Sequence, residues 1–141
     1  MKNLANCKPS EFLRQTNRIK KAVEKWLSAT EVLEIRKRIP ELIVITDDMD
    51  AAEKKKAVLA NRDKRQAQTM KNLSDMFDAV ADKHPDETLE LLALLCFVEP
   101  EDVDDHPVKE YIRSITEMLG DEDVMGFFTS FRRWGQLGTP D

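Results

Sequence analysis

The chain has 141 residues, 41% hydrophobic and 35% charged, with four Gly, six Pro and two Cys. That length suits one domain with a single core, and the composition excludes collagen-like, mucin-like, disulfide-scaffold and wholly disordered chains. The net charge of −5 hides a split, since residues 1–70 carry 16 basic and 10 acidic side chains and residues 71–141 carry 6 and 17.

The longest apolar run, Leu91 to Val98, is eight residues. A membrane span needs about twenty, and the N-terminus has no apolar signal core. A cytoplasmic protein without a membrane partner is expected. The two cysteines could form at most one bridge, and Cys96 inside LLALLCFV reads as a buried, inert thiol.

Ser10 is placed to cap a first helix that runs to about Leu27. Phe12, Thr16, Ile19, Val23, Trp26 and Leu27 share one side, and Arg14, Arg18, Lys21 and Lys25 form a basic stripe opposite. Ser28 and Glu31 make a capping-box pattern for a second helix ending near Arg38, ahead of Pro40. The basic excess sits in residues 1–40, with ten basic and four acidic side chains. It calls for either intramolecular complementarity or an acidic partner. ELIVIT prefers an extended conformation: a docked segment, a strand for another chain, or a helical turn.

Asp50 and Glu53 give another cap, and nothing from Ala51 to Lys83 breaks a helix. Such a helix would be roughly 50 Å long, longer than a compact chain of this size, so it should break or protrude. Its polar first part, to Gln68, reads as a connector. The stripe Met70, Leu73, Met76, Phe77 and Val80 reads as core. His84-Pro85 ends it and Asp86 caps the next helix, whose run Leu91–Val98 is apolar on every side and marks the centre of the core. After an acidic loop, Val108, Tyr111, Ile112, Ile115 and Leu119 share a face. Asp121 then caps a last helix bearing Val124, Phe127, Phe128, Phe131 and Trp134, closed by Gly135, Gly138 and Pro140.

Tests for chemistry fail. The Asp102/Asp104 loop has Pro107 where a calcium loop needs Gly and Arg113 where it needs Glu. His84 and His106 precede prolines and read as turn residues. No zinc spacing, phosphate-binding loop or nucleophile elbow is present, so an enzyme is the weakest class and no cofactor or metal is expected. The basic stripe, extended by Arg36-Lys37-Arg38, supports a DNA-associated adaptor. A pI near 5.2 and the lack of a readable helix-turn-helix argue against nucleic acid as partner. Phe127, Phe128, Phe131, Trp134 and the Trp26 face are candidate partner-binding residues as well as candidate core, and Gly126 would admit another backbone closely.

Three blocks, NCKPSEFLRQTNRIKKAVEKWL, LELLALLCFVEPEDVDDHPVKEY and DVMGFFTSFRRWGQLG, resemble small helical tail assembly chaperones of long-tailed, siphovirus-type phages and prophages of Firmicutes. The resemblance covers most of the chain except about Asp47 to Gln68. It implies a protein of the bacterial host cytoplasm that binds the tape-measure protein, keeps it soluble, helps tail-tube protein polymerise around it and is absent from the mature virion. The expected fold is all-α: one compact bundle of five or six helices without a substantial sheet. Its parts are a basic segment 1–48, a polar connector helix 49–68 and an acidic core 69–138. The sequence leaves the oligomeric state open.

Overall fold

The computed structural model describes the backbone of residues 1–137, with the side chains of all of these except 131 and 134–137. The fold is all-α, and no strand occurs among the described residues. The α-helices are α1 (Pro9–Thr30), α2 (Val32–Arg36), α3 (Ala51–Phe77), α4 (Pro85–Leu95), α5 (Val108–Gly120) and α6 (Glu122–Leu137). A π-helical stretch, Asp78–Lys83, continues α3, and a 3₁₀ segment, Pro100–Asp105, follows α4. No described helix is long and apolar enough to cross a membrane.

Two compact units result. One comprises Met1–Trp26 with Asp86–Asp141, the other Leu27–Pro85. They run across the charge-based segments, because basic α1 packs with the acidic second half.

In the first unit, Leu4, Ile19, Ala22, Leu94, Met118 and Val124 form the core, flanked by Phe12, Val23, Leu91, Leu95 and Phe97. The α1 face is the one its spacing predicts, with Gln15 also buried and donating from Nε2 to the Leu94 carbonyl at 2.6 Å. Ala93, Leu94 and Cys96 of the apolar run are buried, whereas Leu91, Leu92, Leu95, Phe97 and Val98 are half-buried, so the run is not enclosed on every side as expected. Burial pushes the Cys96 thiol up. Helix α4 starts at Pro85, one residue before the expected cap, as the N1 preference of proline favours. It closes with Phe97 in the left-handed region at φ 56, Val98 N–H donating to Ala93 and Phe97 N–H to Leu94. That closure normally uses glycine. Here the Phe97 ring packs against the core, which offsets the backbone strain.

Helix α5 corrects the sequence reading. Of the face Val108, Tyr111, Ile112, Ile115 and Leu119, Tyr111 is buried and Ile115 half-buried, but Val108, Ile112 and Leu119 are 68%, 60% and 56% exposed, while Ser114 and Met118 are buried instead. The helix is turned by one residue, about 100°, because polar anchors hold the other face. Tyr111 Oη donates to the Val103 carbonyl at 2.7 Å, and Ser114 Oγ accepts from Asn3 Nδ2 at 3.0 Å.

In the second unit, α1 continues past Ser28 to Thr30, so the expected cap is not used. Glu31, with φ 54, makes the joint to α2 instead. Asp50 caps α3 as its spacing predicts, accepting from the Glu53 N–H at 2.7 Å. Helix α3 crosses Gln68 without a break, and its end widens into the π-turn, where His84 N–H donates to Ala79. The expected core stripe is a second correction. Met76 and Val80 are half-buried, but Met70, Leu73 and Phe77 are 67%, 52% and 74% exposed. The buried positions of α3 are Ala57, Asn61 and Asn72.

Those amides hold the segment that the sequence reads as extended. Asn61 Oδ1 accepts from Ile43 N–H at 2.7 Å while its Nδ2 donates to Ile43 O at 3.0 Å. Asn72 Nδ2 donates to Arg38 O at 2.9 Å, and Gln68 orients Asn72. One side-chain amide thus satisfies both backbone groups of Ile43, as a neighbouring strand would.

Candidate protein-binding surface

A shallow groove of about 500 Å³ opens in the first unit. Leu4 and Ala5 of the N-terminal segment, Phe12 and Leu13 of α1, and Val124 and Phe127 of α6 supply its apolar wall, with Asp121 and Asp123 beside them. Its geometry starts at Asn3, which is wholly buried. The Asn3 amide donates to Ser114 and, at 3.4 Å, to Glu117. Its carbonyl oxygen accepts from Ala5 N–H at 2.7 Å, and its own N–H donates to Asn6 Oδ1 at 2.8 Å. Every polar group of the anchor is used, so Leu4 is delivered into the core beneath the groove.

Asp121 fixes the opposite wall by capping α6, its Oδ1 accepting from Val124 N–H at 3.0 Å. Phe127 meets Phe12 edge to face at 5.2 Å between ring centroids, and Phe128 meets Phe127 at 5.5 Å. Both phenylalanines keep more than a third of their surface in solvent, and Leu13 is 73% exposed. A Cβ added at Gly126 would meet nothing within 4 Å, so no described residue uses the close approach that Gly126 permits. The surface is rigidly backed, apolar in its wall and acidic at two points. The α5 row Val108, Ile112 and Leu119 adds a second exposed apolar stripe to the same unit.

The sequence-predicted residues fall into three groups. Phe127 and Phe128 lie at the groove and beside it, half-exposed. Trp26 is half-buried and donates from Nε1 to Thr88 Oγ1 at 2.9 Å. Phe131 and Trp134 lie outside the residues whose side chains are described, and Gly138 and Pro140 outside the described backbone. Asn3, Leu4 and Leu13 escape the sequence reading, because no periodic pattern precedes α1 and Leu13 sits alone between Phe12 and Arg14.

Within the basic stripe, Arg18 makes a two-pronged contact with Glu99, at 3.1 and 2.8 Å, and Lys25 meets Glu90 at 2.9 Å. The hydrogen bond from Arg18, reinforced by its charge, holds the Glu99 carboxyl below its usual range, and Glu90 raises Lys25. Arg14 and Lys21 are exposed. The basic head and the acidic half therefore answer one another inside the unit, which takes two of four cations from a phosphate-binding surface. No protein-family model, curated protein or solved structure matches the chain.

Proposed function

We propose that the protein is a tail assembly chaperone that binds the tape-measure protein, keeps it soluble and assists tail-tube polymerisation around it. The observation that supports this reading most is the open apolar groove between the N-terminal segment, α1 and α6, with Leu13 exposed at its wall. A fitting occupant brings apolar side chains for Leu13 and Phe127 and basic ones for Asp121 and Asp123. One face of a long amphipathic helix meets both needs. Burying such a face contributes about 25 cal/mol per Å², so a shallow contact holds a client against aggregation and still releases it. No covalent step enters this role. In it the chain works in the host cytoplasm and is absent from the finished virion.

Co-expression with a helical tape-measure fragment tests the reading. The fragment should stay soluble with the wild-type chain and aggregate with Leu13→Lys, a change at an exposed position that leaves the fold intact. A fragment no more soluble with the chaperone than without it would refute the reading.

A further inference from the structure

The segment that α3 holds is bonded along one edge. Residues 38–46 run without a turn or bend. One side-chain amide reaches both the N–H and the carbonyl of Ile43, which requires an extended residue there, because only that conformation points the two groups the same way. Along extended backbone the direction alternates. Ile43 and Glu41, whose carbonyl accepts from Lys64 Nζ at 3.5 Å, face α3, so Leu42 and Val44 turn their N–H and carbonyl groups away from it. No described residue bonds those groups, and Val44 is 74% exposed. A row of alternating donors and acceptors with β-branched side chains is matched in register by another extended backbone.

The flanking residues name that backbone as the same segment of a second copy. In an antiparallel pair about a two-fold axis at Ile43, Ile43 faces Ile43, and Leu42 of each copy faces Val44 of the other. Pro40 faces Thr46, and its missing N–H ends a ladder of about six bonds between the copies. The mixed pair, Glu41 with Ile45, falls where both side chains are exposed. Charge selects the direction. The stretch RKRIPELIVITDDMD, residues 36–50, is basic before its apolar centre and acidic after it. An antiparallel pair therefore brings Arg36, Lys37 and Arg38 of each copy towards Asp47 and Asp48 of the other, with Arg38 level with Asp48. Arg38 also meets Asp75 of α3 at 3.3 Å, with its side chain still 53% exposed. A parallel pair would set basic against basic and acidic against acidic.

We infer that two copies of this chain join edge to edge through residues 40–46 as an antiparallel ribbon, each strand backed by its own α3. The ribbon lies in the second unit and is independent of the groove, so the chaperone reading and this one stand or fall separately. Sedimentation equilibrium of the full chain over a rising concentration series should show a mass that climbs from one chain towards two. Register is read by oxidation in a Cys7→Ser background. Ile43→Cys should form a covalent dimer, because residues facing each other in a non-hydrogen-bonded antiparallel pair stand about 4.5 Å apart between Cα atoms, within the span of a disulfide. Ile39→Cys, 85% exposed at the wild-type residue, should stay uncrosslinked, since it lies opposite Asp47. Val44→Pro removes a donor that bonds nothing within the described chain, so it should weaken association by about tenfold or more at unchanged helical circular dichroism. A wild-type chain that stays monomeric throughout, as it would if the edge took a strand from a different protein, would overturn the inference. So would Ile39→Cys cross-linking as fast as Ile43→Cys, or a proline variant that dimerises like the wild type.

Discussion

Three asparagines do work that hydrophobic patterning does not reveal. Asn3, Asn61 and Asn72 are all buried, and each uses its amide on backbone or on a hydroxyl. The sharpest case is Asn61, whose two bonds are what keep Ile43 on α3. Replacing it with Ala strands a backbone N–H and a carbonyl, at a cost of about 1–3 kcal/mol. Hydrogen exchange at the Ile43 amide should accelerate by at least about tenfold, while the amides of α5 are unchanged. Unaltered exchange at Ile43 would mean that the segment is held by something other than this amide.

Among the elements, the sequence reads the buried face of α1, the α3 cap and, in part, the apolar run that begins in α4, because each rests on a local signal: amphipathic spacing, Asp50 with Glu53, and eight consecutive apolar residues; it misplaces the start of α1, where Ser10 lies inside the helix instead of capping it. It misreads α3 and α5 for a common reason. Spacing tells which side chains share a face, but it assigns that face to the interior by default. In both helices, long-range polar contacts (Ile43 with Asn61, Asn3 with Ser114) bind the other side instead. No periodicity encodes a partner eighteen or 111 residues away. The groove was half legible: Phe127 and Phe128 stand in a clear helical row, whereas Leu4 and Leu13 belong to no pattern. In α6, Gly126 is an interior helix position with open space around it, so Gly126→Ala should stabilise the helix by about 1 kcal/mol, read as a raised thermal midpoint. If a client helix crosses there, the same variant should bind it more weakly, and an unchanged affinity would place the contact elsewhere on the unit.

At the scale of the whole molecule, part of the charge split is met by ion pairs inside the first unit. The first unit joins basic α1 to acidic α4 and the segment after it through Arg18–Glu99 and Lys25–Glu90. These pairs are exposed and individually weak. Their pH dependence is nonetheless directional. Glu99 and Glu11 both have carboxyl pKa values held down in the fold, chiefly by hydrogen bonds from Arg18 and Lys2. The folded state therefore favours the ionised form, so their contribution is present above the ordinary glutamate value of about 4.3 and is lost as pH falls through the lowered values. The thermal midpoint should decline on acidification below about pH 4.3, and Glu99→Gln should shallow that decline. An identical acid profile in the variant would remove Glu99 from the account.

The central claim is that this chain grips a helical polypeptide in the groove between its N-terminal segment, α1 and α6. Hydrogen–deuterium exchange of the full chain, with and without a saturating tape-measure fragment, tests it most directly. New protection should gather at residues 4–13 and 121–128, and Leu13→Lys should abolish it. Absence of protection under saturation, or protection confined to residues outside those two stretches, would contradict the claim.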